Sequence, residues 1–145
     1  KTFASNYRNR LPMVYVGGND GMLHGFSGYD GTEKIAYVPH GVIQNLATLS
    51  DTGYTHRYYV DGSPMTGDVY IIGASGTPEW RTYLVGTLGA GGRGYFVLDV
   101  TEPGSTPTKT GVADKFEEAN ASSLVVMDKT AAAASPNNTQ VVRSV

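Results

Sequence analysis

Cysteine is absent from this 145-residue chain. That excludes a disulfide framework and any thiolate metal site, although it does not fix the compartment. No apolar run approaches the roughly 20 residues a membrane-spanning helix needs, and Lys1 to Arg10 is polar, without a signal-peptide pattern. If the protein is exported, its signal is expected upstream of this stretch. Charge of one sign is also scarce. Eleven Lys and Arg stand against thirteen Asp and Glu, a net charge of −2. The basic residues Arg8, Arg10, Arg57, Arg81, Arg93 and Lys109 build no stripe, which argues against a nucleic-acid partner. Trp (one) and Phe (four) are few, whereas Gly (nineteen) and Tyr (ten) are many. Tyr favours strands and Gly favours turns, so the chain reads as all-β with frequent turns and not as helical layers.

The most informative pattern is a strand–turn–strand unit, VYVGGNDGMLHGF at 14–26. It returns in looser form as YLVGT at 83–87 and GYFVLD at 94–99. Alternating residues face opposite sides of a sheet, and the Gly-rich turns supply the positive φ a hairpin requires. A repeated hairpin of this kind is the elementary piece of a β-propeller blade. The spacing from Gly17 to Gly86 exceeds a bare blade of roughly 40–50 residues, and an inserted helix accounts for much of the excess. The chain therefore holds about two blades, against roughly four to eight in a closed ring. Open sheet edges of such a segment favour pairing with another chain, so it is expected to be part of a longer protein or to complete its fold by association.

Strands are predicted at 12–17, 22–27, 34–38, 57–61, 67–72, 80–87 and 93–100, with another at 123–127. Residues 57–61 and 67–72 are expected to pair across a turn at Gly62, Ser63 and Pro64. Val42, Ile43, Leu46 and Leu49 fall at helical spacing, which predicts a short amphipathic helix over 40–51. Residues 102–110 read as a loop, and 114–120 as a helical turn. Three parts follow: a polar lead-in at 1–10, the partial propeller at 11–128, and a low-complexity tail at 129–145 expected to be mobile.

Candidate chemistry is thin. GAGGRG at 89–94 satisfies G-x-G-x-x-G, with Asp114 twenty residues on. A dinucleotide site needs a helix N-terminus after that loop, but an alternating strand run follows. His24, His40 and His56 show no metal-ligand spacing and read as structural. Asp20, Asp30, Asp51, Asp61 and Asp68 are isolated, with no calcium-loop pattern, and Asp20 and Asp30, each before a Gly, read as turn formers. No nucleophile elbow or Ser-x-x-Lys occurs, since Gly73, Ala74, Ser75 and Gly76 lack the elbow spacing. Asn120 and Asn137 begin glycosylation sequons that matter only in a eukaryotic secretory setting. The tyrosines read as strand fillers, an exposed subset of which would suit a binding surface. No catalytic, cofactor-binding or metal-ligating residue is assigned.

Six stretches together resemble a known family. They are MVYVGGNDGMLHGF at 13–26, AYVP at 36–39, HRYYVDGSP at 56–64, WRTYLVG at 80–86, LGAGGRGYFVLDV at 88–100 and SLVVMD at 123–128. In this order they resemble the C-terminal β-propeller of type IV pilus tip adhesins, the PilC/PilY family. The resemblance implies a quinoprotein-like propeller in a large exported protein of a Gram-negative bacterium. It implies a place at the pilus tip or cell surface, with roles in adhesion, pilus biogenesis and twitching motility. The implied partners are minor pilins or the tip complex and a host or abiotic surface. The family's aspartate-rich calcium loop has no match here, so no calcium and no other cofactor is expected in this segment. Two alternatives remain: a fragment of a quinone-cofactor propeller dehydrogenase, for which no lining constellation is found, and a β module that self-associates through open edges.

Overall fold

A computed structural model of the protein describes residues 2–73 and 76–132. A short helix α1 (Thr2–Asn6) leads into strands β1 (Met13–Gly17), β2 (Leu23–Ser27) and β3 (Glu33–Tyr37). One helical turn, α2 (His40–Ile43), and a 3₁₀ stretch (Leu46–Ser50) follow. Then come β4 (Met65–Ile72), β5 (Pro78–Thr87), β6 (Gly92–Arg93), β7 (Tyr95–Asp99), α3 (Ala121–Leu124), β8 (Val125–Asp128) and β9 (Ala131–Ala132). The first sheet has the order β1-β2-β3 and the second β4-β5-β7-β8, while β6 and β9 pair separately. All the pairings are antiparallel. The two repeated hairpins are present, β1 with β2 and β5 with β7, but the expected pairing of 57–61 with 67–72 is not: 67–72 lies in β4, which pairs with β5. The architecture is two consecutive propeller blades, one with four strands and one with three.

The first hairpin closes as its sequence dictates. Gly21 takes φ +95°, which a side chain rarely adopts. The Met22 N–H donates to Asp20 Oδ1 at 3.1 Å, the local bond that makes Asp a turn former. The two sheets enclose one core. Leu23 comes from β2, Leu84 from β5, and Phe96 and Leu98 from β7, joined by Val42, Tyr59, Val60, Leu88, Val100 and Phe116. Met13, Tyr15, Ile35 and Tyr37 pack against it from the first sheet. The tyrosines divide accordingly: Tyr59 is buried, whereas Tyr29, Tyr58 and Tyr70 are exposed.

Two predicted elements differ. Residues 57–61 are not a strand, although Tyr59 and Val60 are buried. Their backbone donors are drawn to two separate hairpin ends: Val60 N–H reaches Gly18 O and Asp61 N–H reaches Leu88 O. The segment straps the two blades together, so it cannot run along one neighbour as a strand does. The expected helix over 40–51 breaks after Ile43. Thr48 and Ser50 hydroxyls donate to the Asn45 and Ala47 carbonyls three residues back. Such local bonds compete with α-helical bonding, and here the chain tightens to 3₁₀. Val42 alone of the four spaced apolar residues is fully buried, and Ile43 is exposed.

At the ends, the Phe3 and Tyr7 rings of the lead-in meet at a tilt, 4.8 Å apart, and Phe3 also meets Trp80. Past residue 128 the chain continues in the fold: Thr130 is buried and β9 pairs with β6. The rest of the expected tail from 133, with the sequon at Asn137, lies outside the described residues.

Candidate functional site

The Gly-rich loop 89–94 turns through a 3₁₀ stretch (Gly89–Gly91) into β6 and then β7. No helix N-terminus follows it, so the backbone geometry that would hold a pyrophosphate is missing. Its glycines serve packing instead. A Cβ on Gly91 would lie 1.9 Å from the Tyr59 carbonyl oxygen.

The histidines sit in three different settings. His56 meets Tyr58 edge-on, and the His40 backbone N–H donates to Asp128 Oδ2 at 2.7 Å. His24, on β2, is held between two carboxylates: Nδ1 lies 2.5 Å from Glu33 Oε1 and Nε2 lies 2.8 Å from Asp20 Oδ2. With an acceptor at each nitrogen, the ring is arranged to carry both protons. The hydrogen bond to Glu33 raises its pKa above the ordinary value, burial opposes this, and Asp20 adds to the rise. This geometry favours the protonated ring. Among the described residues no three His, Asp or Glu side chains converge as metal ligands. His24 and Asp20 are four residues apart in sequence, but Glu33 is brought in by strand register, beside a bulge between Gly25 and Phe26.

A pH dependence follows. Because the folded pKa of His24 is raised, its stabilisation is fully present below the unfolded value of about 6.5 and is lost as pH rises through the folded one. Both carboxylates are half-exposed, so the contribution is expected to be under about 1 kcal/mol. NMR titration of the His24 ring should give a midpoint above about 6.5. His24→Gln should remove the corresponding loss of melting temperature between about pH 6 and pH 9. A ring titrating at or below the ordinary value would refute the arrangement.

On the second sheet, the face turned away from the core carries Arg81 at its centre. Arg81 contacts Glu79 at 2.8 Å, Asp99 at 3.6 Å and Glu102 at 3.8 Å. The hydrogen bond to Glu79 raises the guanidinium pKa further, so its charge is permanent. A cavity of about 420 Å³ opens beside it, lined also by Tyr83, Lys115 and Ser123. Among the described residues lining it, the Ser123 hydroxyl donates to the Asn120 carbonyl and is not paired with a base.

One recurring device went unread in the sequence. Asp99 accepts from the N–H and hydroxyl of Thr101, and Asp128 accepts likewise from Thr130. Asp30 accepts from the Thr32 N–H. The Asp-x-Thr units at 99–101 and 128–130 close the ends of β7 and β8, and the one at 30–32 sits in the turn between β2 and β3. Thr101 Oγ1 in turn receives the Thr82 N–H, and Thr130 Oγ1 receives the Gly41 N–H. Burial pushes the Asp128 carboxyl up, but donors from His40, Thr130 and Tyr37 outweigh it and hold its pKa below the ordinary range. The repeated spacing was the available signal.

A family model described as the PilY1 beta-propeller domain matches residues 1–140. The chain belongs to the PilY1 β-propeller family. It is similar to the type IV pilus biogenesis factor PilY1 of Pseudomonas aeruginosa strain PAO1, with 50% identity over 105 residues. That match covers 70% of this chain and 8% of the relative. A PilY1 homolog of Xylella fastidiosa strain Temecula1 is 48% identical over 101 residues, again covering 70% and 8%. The crystal structure of the Pseudomonas aeruginosa PilY1 C-terminal domain aligns with a TM-score of 0.52 at 46% identity, covering 71% of this chain and 18% of that one. The chain thus spans under a tenth of the length of the curated relatives it matches. PilY1 membership accounts for the two blades and for the family resemblance of the hairpin stretches.

Proposed function

We propose that this chain is a rigid, non-enzymatic part of a type IV pilus tip-associated adhesin and assembly factor. It serves surface adhesion, pilus biogenesis and twitching motility from an exported position on a Gram-negative cell. Its partners are minor pilins of the tip complex and the surface to which the pilus attaches. The reading rests on PilY1 family membership and is supported by the character of the fold. A shared core lies between the two blades, and outward sheet faces present exposed side chains such as Val14, Val16, Met65 and Ile72. Rigid sheets carrying variable loops suit binding. No cofactor is needed for such a role.

Mass spectrometry of trypsin-digested, sheared pili tests it. Cleavage after Arg81 and Arg93 releases the peptide from Thr82 to Arg93, and we expect it to be enriched with the pili. Its presence in the periplasmic fraction alone would count against the reading. A second reading, self-association, is favoured by β4, an edge strand with Met65, Tyr70 and Ile72 exposed. Concentration-dependent mass in solution would identify it.

A further inference from the structure

We infer that the seam between the two blades is a docking groove for a peptide segment presenting one large apolar side chain flanked by basic residues. The groove, about 250 Å³, runs between β3 of the first sheet and β7, β8 and α3 of the second. Its floor is apolar and buried, with Leu98 at 2% and Phe116 at 7% exposure. Ile35, Leu124 and Val125 form half-buried walls. The register step between Val97 and Leu98 leaves Val126 as an extra residue on β8, beside the wall formed by Val125. The outward sheet faces are different in kind, because in a propeller each would be covered by another blade. Both walls of this groove come from described residues of the chain.

Charge selects the occupant. Glu117 and Glu118 stand exposed at the mouth, and neither forms an ion pair among the described residues. Lys34, the cation on the lining, is already bound to Asp114 at 2.5 Å. Lys115 lines the cavity beside Arg81. The mouth is therefore net negative over an apolar floor. Such a site attracts cations and repels anionic lipid and nucleic acid. An apolar anchor in a desolvated pocket with complementary charges at the rim is the usual anatomy of a small binding site.

The test is an NMR titration of the 145-residue chain with two short synthetic peptides in a glycine–serine frame. One carries phenylalanine between two lysines, the other phenylalanine between two glutamates. The lysine peptide should give saturable amide shifts at Ile35, Leu98, Leu124 and Val125. The double variant Glu117→Lys/Glu118→Lys should weaken it by about tenfold. Ala121→Trp, which fills the groove and leaves the charges in place, should abolish the shifts, with thermal melting confirming that it folds. Equal binding of the glutamate peptide would overturn the proposal. So would shifts confined to the outward sheet faces, or no shift at millimolar peptide. Shifts at the groove that follow protein concentration without peptide would assign it to a second copy of the chain, and would overturn it too.

Discussion

Gly94→Val is expected to destabilise the chain by about 3 kcal/mol or more, a large part of the roughly 5–15 kcal/mol that holds a domain of this size. Two costs combine. Gly94 takes φ +90°, where a β-branched residue is strained. An ideal Cβ there would also lie 2.0 Å from the carbonyl oxygen of Lys129, a backbone atom that a rotamer change cannot move aside. Lys129 donates its own N–H to Tyr95 O at 2.9 Å, so pushing this strand away breaks the bond that starts β7. The disturbance would reach Thr130, whose hydroxyl receives the Gly41 N–H. Gly111 separates the two costs. It has φ +105° but nothing within 4 Å of its Cβ position. In urea denaturation, Gly111→Val should show the conformational cost alone, about 1–2 kcal/mol, and Gly94→Val should exceed it clearly. Equal losses would mean that the close approach of Lys129 is not there.

The hairpins were legible in the sequence because period-two alternation and Gly-rich turns are both local signals. Residues 14–26 carry both, and the register of β1 with β2 follows from the turn. The segment 57–61 shows the limit of such reading. Arg57, Tyr58, Tyr59 and Val60 have strand composition, yet what decides their conformation is the carbonyls of Gly18 and Leu88, supplied by two different hairpins. The break at residue 44 is of another kind. Its causes, Thr48 and Ser50, are local, but apolar spacing outweighed the hydroxyls in the helix prediction. The His24 cluster was half legible, since Asp20 is nearby in sequence while Glu33 arrives only through the bulged β2–β3 register. The groove between the blades was not legible at all. Ile35, Leu98 and Phe116 lie far apart in the sequence, and only the packing of the two sheets brings them to one groove.

Phe96→Ala tests the contact that joins the blades. The ring is fully buried, 5.2 Å from that of Tyr37 on the first sheet. On its own sheet it lies over Gly86, its antiparallel partner. Removing the ring should cost about 3–5 kcal/mol. Gly86 is glycine because of that ring: a Cβ would sit 2.1 Å from Phe96 Cζ. In the native chain Gly86→Ala should therefore cost about 1–3 kcal/mol through overpacking. In the Phe96→Ala background the same substitution meets an empty space. There it should be neutral or stabilising, since Ala in a strand interior is favoured over Gly by about 0.5–1 kcal/mol. The sign of the Gly86→Ala effect should thus reverse between the two backgrounds, a coupling that a double-mutant cycle in urea reads directly. Additive losses would show that the ring does not lie on Gly86. Reversal would establish that the Phe96 ring fills the space over Gly86, the position from which it also meets Tyr37 of the first sheet.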